Sequence, residues 1–204
     1  MAQRARPMLV SLRHRLVIFA MPKCASTALE HVLATDMDLV IQGHPGAKHT
    51  NYRKYDRHLR RYLESFTKEP LETVCLFRDP LDWLGSWWRY RGRPGMPDPR
   101  KSTAGMSFDA FVTAHLDGAP GAADIGRQSR FVADKDGGIG IDGIFRYEDS
   151  GAFVAYLAER LGREIALPRT NVSPVRAGME LSPETDARLR AEVARDFEIH
   201  AALG

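Results

Sequence analysis

The chain has 204 residues, 44% hydrophobic and 27% charged, a length and balance that fit one globular domain with a sizeable core and exclude an intrinsically disordered chain. Its net charge is +3 with a pI near 9.0, which suits an anionic ligand without requiring nucleic acid, because a nucleic-acid binder needs its basic residues clustered along one surface. The two cysteines, Cys24 and Cys75, have neither a CxxC partner nor a histidine at metal-ligand spacing, so reduced thiols and no structural zinc are expected.

The N-terminal stretch is basic, and its apolar run from Leu16 to Met21 is too short for a signal-peptide core or a membrane span. A cytoplasmic protein is the expectation. Residues 16–20 (LVIFA) form a continuous apolar run, the pattern of a strand buried on both faces, and residues 26–36 then show helical spacing through Leu29, Val32 and Leu33. Further strands are expected over 38–42 (DLVIQ), 73–77 (TVCLF) and 141–147 (IDGIFRY). Between them, Tyr52, Tyr55, Leu59, Tyr62, Leu63 and Phe66 recur at helical spacing, with Arg53, Lys54, Arg57, Arg60 and Arg61 largely on the other faces. This is an amphipathic helix whose charges are by default a solvated face. Residues 91–106 and 117–126 are rich in glycine and proline without periodicity and read as loops, the first long enough for a lid or binding loop. Helices are expected over 150–161 and 182–202, the second with Ser182 as N-cap and Pro183 in its first turn. Strands alternating with helices predict one α/β domain over residues 1–204, with a central parallel sheet flanked by helices.

Two segments carry chemistry. Between the first strand and its helix lies Pro22-Lys23-Cys24-Ala25-Ser26-Thr27-Ala28. The free N–H groups and the dipole of a helix N-terminus bind anions, and here a lysine and two hydroxyls are added. Taken alone, the same residues also suit a Ser/Thr cap beside a surface lysine. A Walker A loop would need G-x-x-x-x-G-K-[ST], with two glycines and a lysine directly followed by serine or threonine, and no such run occurs. Its absence weakens a magnesium-dependent kinase. The second segment runs from Val74 to Trp88. Asp79 as N-cap and Pro80 after it start a helix directly behind a strand, so Arg78 stands at the strand's carboxyl end, where α/β folds bind ligands. Ser86 lies about two turns into that helix, and Trp83 with Trp87 is a core pair at i, i+4 spacing.

Lysine followed by small and hydroxyl residues resembles the 5′-phosphosulfate loop of sulfotransferases that use 3′-phosphoadenylyl sulfate (PAPS). An arginine ending a strand, an Asp-Pro helix start and a serine eight positions on resemble the motif that holds the 3′-phosphate. Residues 141–150, 167–173 and 181–203 look like the late part of bacterial and Golgi-type carbohydrate sulfotransferases. The resemblance implies a P-loop-like phosphosulfate site formed by Lys23, Cys24, Ala25, Ser26, Thr27 and Ala28, a 3′-phosphate site at Arg78 and Ser86, and a faint third cofactor loop at Arg176-Ala177-Gly178. It implies PAPS as co-substrate, 3′,5′-adenosine bisphosphate (PAP) as product, no metal, and a small-molecule or glycan acceptor. Lys23 would stabilise the leaving oxygen. His49, before a helix and three residues ahead of Tyr52, resembles the catalytic base, with His44 and Glu148 as the other candidates. Ala25 departs from the glycine common at that position and fits only where φ is negative. Two other readings remain at this point. One is a magnesium-dependent nucleotide phosphotransferase. The other is a nucleic-acid-binding protein using the basic helix 52–66, which would leave both phosphate motifs unexplained.

Overall fold

A computed structural model describes residues 8–41, 44–121, 123–166 and 178–203. Strands β1 (Met8–Ser11), β2 (Leu16–Phe19), β3 (Leu39–Ile41), β4 (Glu72–Phe77) and β5 (Gly143–Arg146) form one sheet in the order β3-β1-β2-β4-β5. Helices α1 (Ser26–Leu33), α2 (Pro45–Lys48), α3 (Tyr52–Tyr55) and α4 (Arg61–Glu64) precede β4. After it come α5 (Pro80–Arg91), α6 (Phe108–Leu116), α7 (Gln128–Val132), α8 (Ser150–Leu161), α9 (Pro183–Glu192) and α10 (Ala194–Ala202).

The sheet is mixed, which corrects the parallel sheet expected from sequence. β2, β4 and β5 pair in parallel, whereas β1 runs antiparallel to both β2 and β3. β1 is the strand that the sequence reading overlooked. It has only four residues, all buried, inside a segment that reads as a basic N-terminus. Its turn into β2 also lacks the glycine, asparagine or aspartate that usually signals a hairpin. Arg15 takes the left-handed conformation itself, φ 50, its N–H donates to the Leu12 carbonyl at 3.2 Å, and its guanidinium pairs with Glu69. Because β1 is reversed against both neighbours, β2, β3, β4 and β5 all point the same way. Their carboxyl ends share one edge of the sheet.

Register assigns the faces. Phe19 pairs with Cys75 and Cys75 with Ile144, so these three share a face and Phe145 lies on the other. Phe19 packs edge-on against Tyr55 at 5.2 Å and Phe131 at 6.2 Å, which brings α3 and α7 to its face. Phe145 meets Phe153 at 5.1 Å and Tyr156 at 5.0 Å, which brings α8 to the opposite face. Helices therefore cover both sides of the sheet, the layered α/β arrangement. Each fully buried aromatic here contributes about 1.5–3 kcal/mol over an exposed one.

The amphipathic helix runs over residues 52–64 and contains a π-helical turn at Asp56–Arg60 between α3 and α4. Arg60 braces that turn by donating to Asp56 at 3.2 Å, Glu64 at 3.1 Å and the Tyr52 hydroxyl at 3.3 Å. Arg53, Lys54, Arg57 and Arg61 are exposed, as a solvated face requires.

The chain divides into two compact units. One holds the described residues among 1–78 and 128–171, with Leu203, and contains the sheet; the other holds those among 79–127 and 172–202. The second unit is helical, formed by α5, α6, α9 and α10. Its first helix starts as the sequence predicts, with the Asp79 carboxylate accepting from the Asp82 N–H at 2.9 Å and Pro80 in the first turn. Trp83 and Trp87 meet edge-to-face at 6.2 Å, and Trp88 packs on Phe108 at 5.6 Å. The loop after α6 is tied down by the buried Arg91, which donates to the carbonyls of Gly121 at 2.8 Å and Asp124 at 3.0 Å. The helix expected over 182–202 is two helices interrupted at Val193, and Ser182 caps the first through the Thr185 N–H at 3.2 Å. No helix among the described residues is long and apolar enough to cross a membrane.

Candidate functional site

The β2–α1 connection runs from Ala20 to Ala25. After the buried Ala20 and Met21 the chain passes through Lys23 at φ 68 and Ala25 at φ 50. The Cys24 N–H donates to the Met21 carbonyl at 3.3 Å, and the Ala25 carbonyl accepts from Ala28 at 2.9 Å and Leu29 at 3.2 Å. Ala25 is thus the N-cap of α1 and supplies no side-chain cap. This replaces the Ser/Thr cap that the segment alone suggests. Tight turns of this kind, feeding a helix N-terminus, orient backbone N–H groups and the positive end of the dipole toward an anion. The side chains of Ser26 and Thr27 fall outside the described residues' side chains.

The left-handed φ at Ala25 is opposite to the condition under which alanine fits there, and it is a local cost that glycine would not bear. Ala25→Gly is therefore expected to raise stability by about 0.5–1 kcal/mol, read as a Tm increase of roughly 1–4 °C for a chain of this size. A Tm that stays level or falls would show that the turn carries no such strain.

Arg78 follows β4 at the carboxyl edge and is only 5% exposed. Its Nη1 donates to the Lys23 carbonyl at 3.2 Å, and its guanidinium lies 4.6 Å from the centre of the Tyr147 ring. The two phosphate motifs read from sequence, Lys23 with its loop and Arg78, therefore meet directly. Gln128, which carries no sequence signal, completes the arrangement. It is fully buried, its Oε1 accepts the Arg78 N–H at 3.0 Å, and its Nε2 donates to the Arg78 carbonyl at 2.8 Å. The Cys24 thiol approaches the same Oε1 at 3.9 Å. Burial pushes the Cys24 thiol well above the ordinary cysteine range, more than Arg78 and Lys23 can offset. Cys24 is therefore a protonated donor and not a nucleophile.

His49 stands just before α3. Its Nδ1 is 2.7 Å from the Ala20 carbonyl, three residues ahead of Lys23. A carbonyl only accepts, so Nδ1 carries the proton, and in the neutral ring Nε2 is the basic nitrogen. Asn51 caps α3 through the Lys54 N–H at 3.0 Å, and Tyr52 packs near Phe19 at 6.3 Å, which fixes the segment behind the histidine. His44 is exposed, and its Nδ1 accepts the Gly46 N–H at 3.2 Å, a local turn contact. Glu148 is exposed two residues beyond β5.

Lys23, Cys24, Ala25, Ala28, Arg78 and His49 all belong to the sheet-containing unit, together with Gln128. Ser86 is half-buried on α5 in the helical unit, and Arg176 lies outside the described residues. Among the described residues no group of three or more His, Cys, Asp or Glu is placed to hold a metal ion. Comparisons with protein-family models, curated proteins and solved structures find no match to this chain, so the geometry of the site carries the functional reading.

Proposed function

We propose that the protein is a sulfotransferase that moves the sulfuryl group of PAPS to an acceptor hydroxyl or amine. The observation that carries this reading is the hydrogen bond from Arg78 to the Lys23 carbonyl, which sets a buried guanidinium against a glycine-free anion loop. A guanidinium fork suits a phosphate dianion, and the loop at the N-terminus of α1 suits a second anionic group on the same nucleotide. In this reading Arg78 holds the 3′-phosphate, and Ser86 and Arg176 are assigned to the nucleotide by sequence motif alone. The backbone of residues 24–28 and the hydroxyls of Ser26 and Thr27 hold the 5′-phosphosulfate.

Transfer forms a bond between the acceptor oxygen or nitrogen and sulfur and breaks the bond from sulfur to the bridging oxygen. The electron pair of that bond stays on the 5′-phosphate of PAP. The acceptor's proton passes to Nε2 of His49, whose orientation is set by the Ala20 carbonyl. Lys23 stabilises the negative charge that builds on the bridging oxygen.

Lys23→Ala should lower turnover more than it lowers PAP affinity, because its interaction strengthens only as that charge develops. Steady-state kinetics beside PAP titrations separate the two effects; normal kcat with a raised KM for PAPS would contradict the assigned role. The reading as a whole is tested by supplying radiosulfur-labelled PAPS and a panel of alcohols, amines and glycans in the presence of EDTA. Acceptor-dependent transfer of label supports it. Phosphoryl transfer from ATP, seen only with magnesium, would instead establish the nucleotide phosphotransferase.

A further inference from the structure

We infer that Gln128 is a positioning residue for the nucleotide's 3′-phosphate, acting through Arg78; the inference rests on the sulfotransferase reading. Where β4 ends, the backbone of Arg78 leaves the sheet. The last contact on that side is the Tyr147 N–H donating to the Phe77 carbonyl at 2.8 Å. A carboxamide has the same donor and acceptor as a peptide group, and Gln128 offers both to the first residue beyond β4. Its Oε1 takes the Arg78 N–H at 3.0 Å and its Nε2 gives to the Arg78 carbonyl at 2.8 Å, with the side chain wholly buried.

The arrangement closes on itself. Gln128 holds the Arg78 backbone, the Arg78 guanidinium holds the Lys23 carbonyl, and the next residue, Cys24, returns its thiol to Gln128 Oε1. Strand end and anion loop are thereby fixed relative to each other, and the guanidinium is aimed by its own backbone. A side chain that only filled space would need no amide here. A buried amide that lost these partners would be costly, so the pairing defines a single orientation.

The test measures PAP and AMP affinities by calorimetry, with thermal unfolding on the same samples, for wild type, Gln128→Met and Gln128→Glu. Methionine keeps the length of the side chain and removes both hydrogen bonds. Glutamate keeps an acceptor and, when ionised, loses the donor to the Arg78 carbonyl. The wild-type chain is expected to prefer PAP over AMP. Gln128→Met should lower PAP affinity about tenfold, the equivalent of one to two lost hydrogen bonds, while AMP affinity falls less, so that the PAP preference drops. If Gln128→Met does not fold, the same loss of preference is expected of Gln128→Glu. A variant that keeps the wild-type preference overturns the inference alone, and so does one that loses both nucleotides equally, since that is a purely structural role. A wild-type chain that does not distinguish PAP from AMP overturns the sulfotransferase reading and this inference with it.

Discussion

Replacing His49 with alanine lowers kcat by about 10²–10⁴-fold, the usual contribution of a positioned general base, and leaves PAP affinity near the wild-type value. The expectation follows from one contact. The Ala20 carbonyl, at the end of β2, accepts from Nδ1 at 2.7 Å and so makes Nε2 the basic nitrogen of the neutral ring. Ala20 is followed by Met21, Pro22 and Lys23, which ties the base and the leaving-group lysine to the same strand end. Asparagine at position 49 would keep a donor for Ala20 but supply no base, so His49→Asn should be as slow as alanine. His44→Ala is the control, because its ring serves an exposed local turn, and should turn over at the wild-type rate. If His44→Ala abolishes transfer and His49→Ala does not, the base lies five residues upstream. If neither matters, a carboxylate such as Glu148 takes the role.

Arg78→Ala weakens PAP binding by roughly 10–150-fold, corresponding to about 1.5–3 kcal/mol for a charge-assisted pair to a phosphate. Adenosine 5′-phosphosulfate, which lacks the 3′-phosphate, should bind the variant nearly as well as the wild type. The arginine is buried at the sheet edge, where desolvation strengthens its attraction to an anion and makes a lysine substitute a poor one. Arg78→Lys should therefore recover only part of the loss. Equal weakening of both nucleotides would mean that Arg78 supports the β4 end through its contacts with Lys23 and Tyr147 without reading the 3′-phosphate.

The elements that sequence predicts well are those whose local chemistry agrees with their packing. β2 is buried along its length and reads as a continuous apolar run, and β4 is buried from Thr73 to Phe77. α5 announces itself through Asp79 and Pro80, and α8 spans residues 150–161 as its periodicity requires. β1 fails that agreement, because four buried residues are joined to β2 by a turn in which an arginine adopts the left-handed conformation. α6 does carry a signal, since Phe108, Phe111, Val112 and His115 are buried at i, i+3, i+4 and i+7. Glycine- and proline-rich loops on either side hide it.

The candidate site divides in the same way. Lys23, Arg78 and His49 are legible because each is a charged or titratable residue placed just after a strand or just before a helix. Gln128 is not, because its role depends on a backbone fifty residues away and a carboxamide in a sequence has no pattern of its own. The φ of Ala25 could not be read either, since the residue that adopts a left-handed turn here is not the glycine that would signal it.

The measurement that bears most directly on the proposed activity is calorimetric titration of the wild-type chain with PAP in EDTA, beside AMP and ATP. The sulfotransferase reading predicts saturable binding of one PAP per chain, tighter than AMP and unchanged when magnesium is restored. Failure to bind PAP without magnesium, with ATP binding only when it is present, would contradict it.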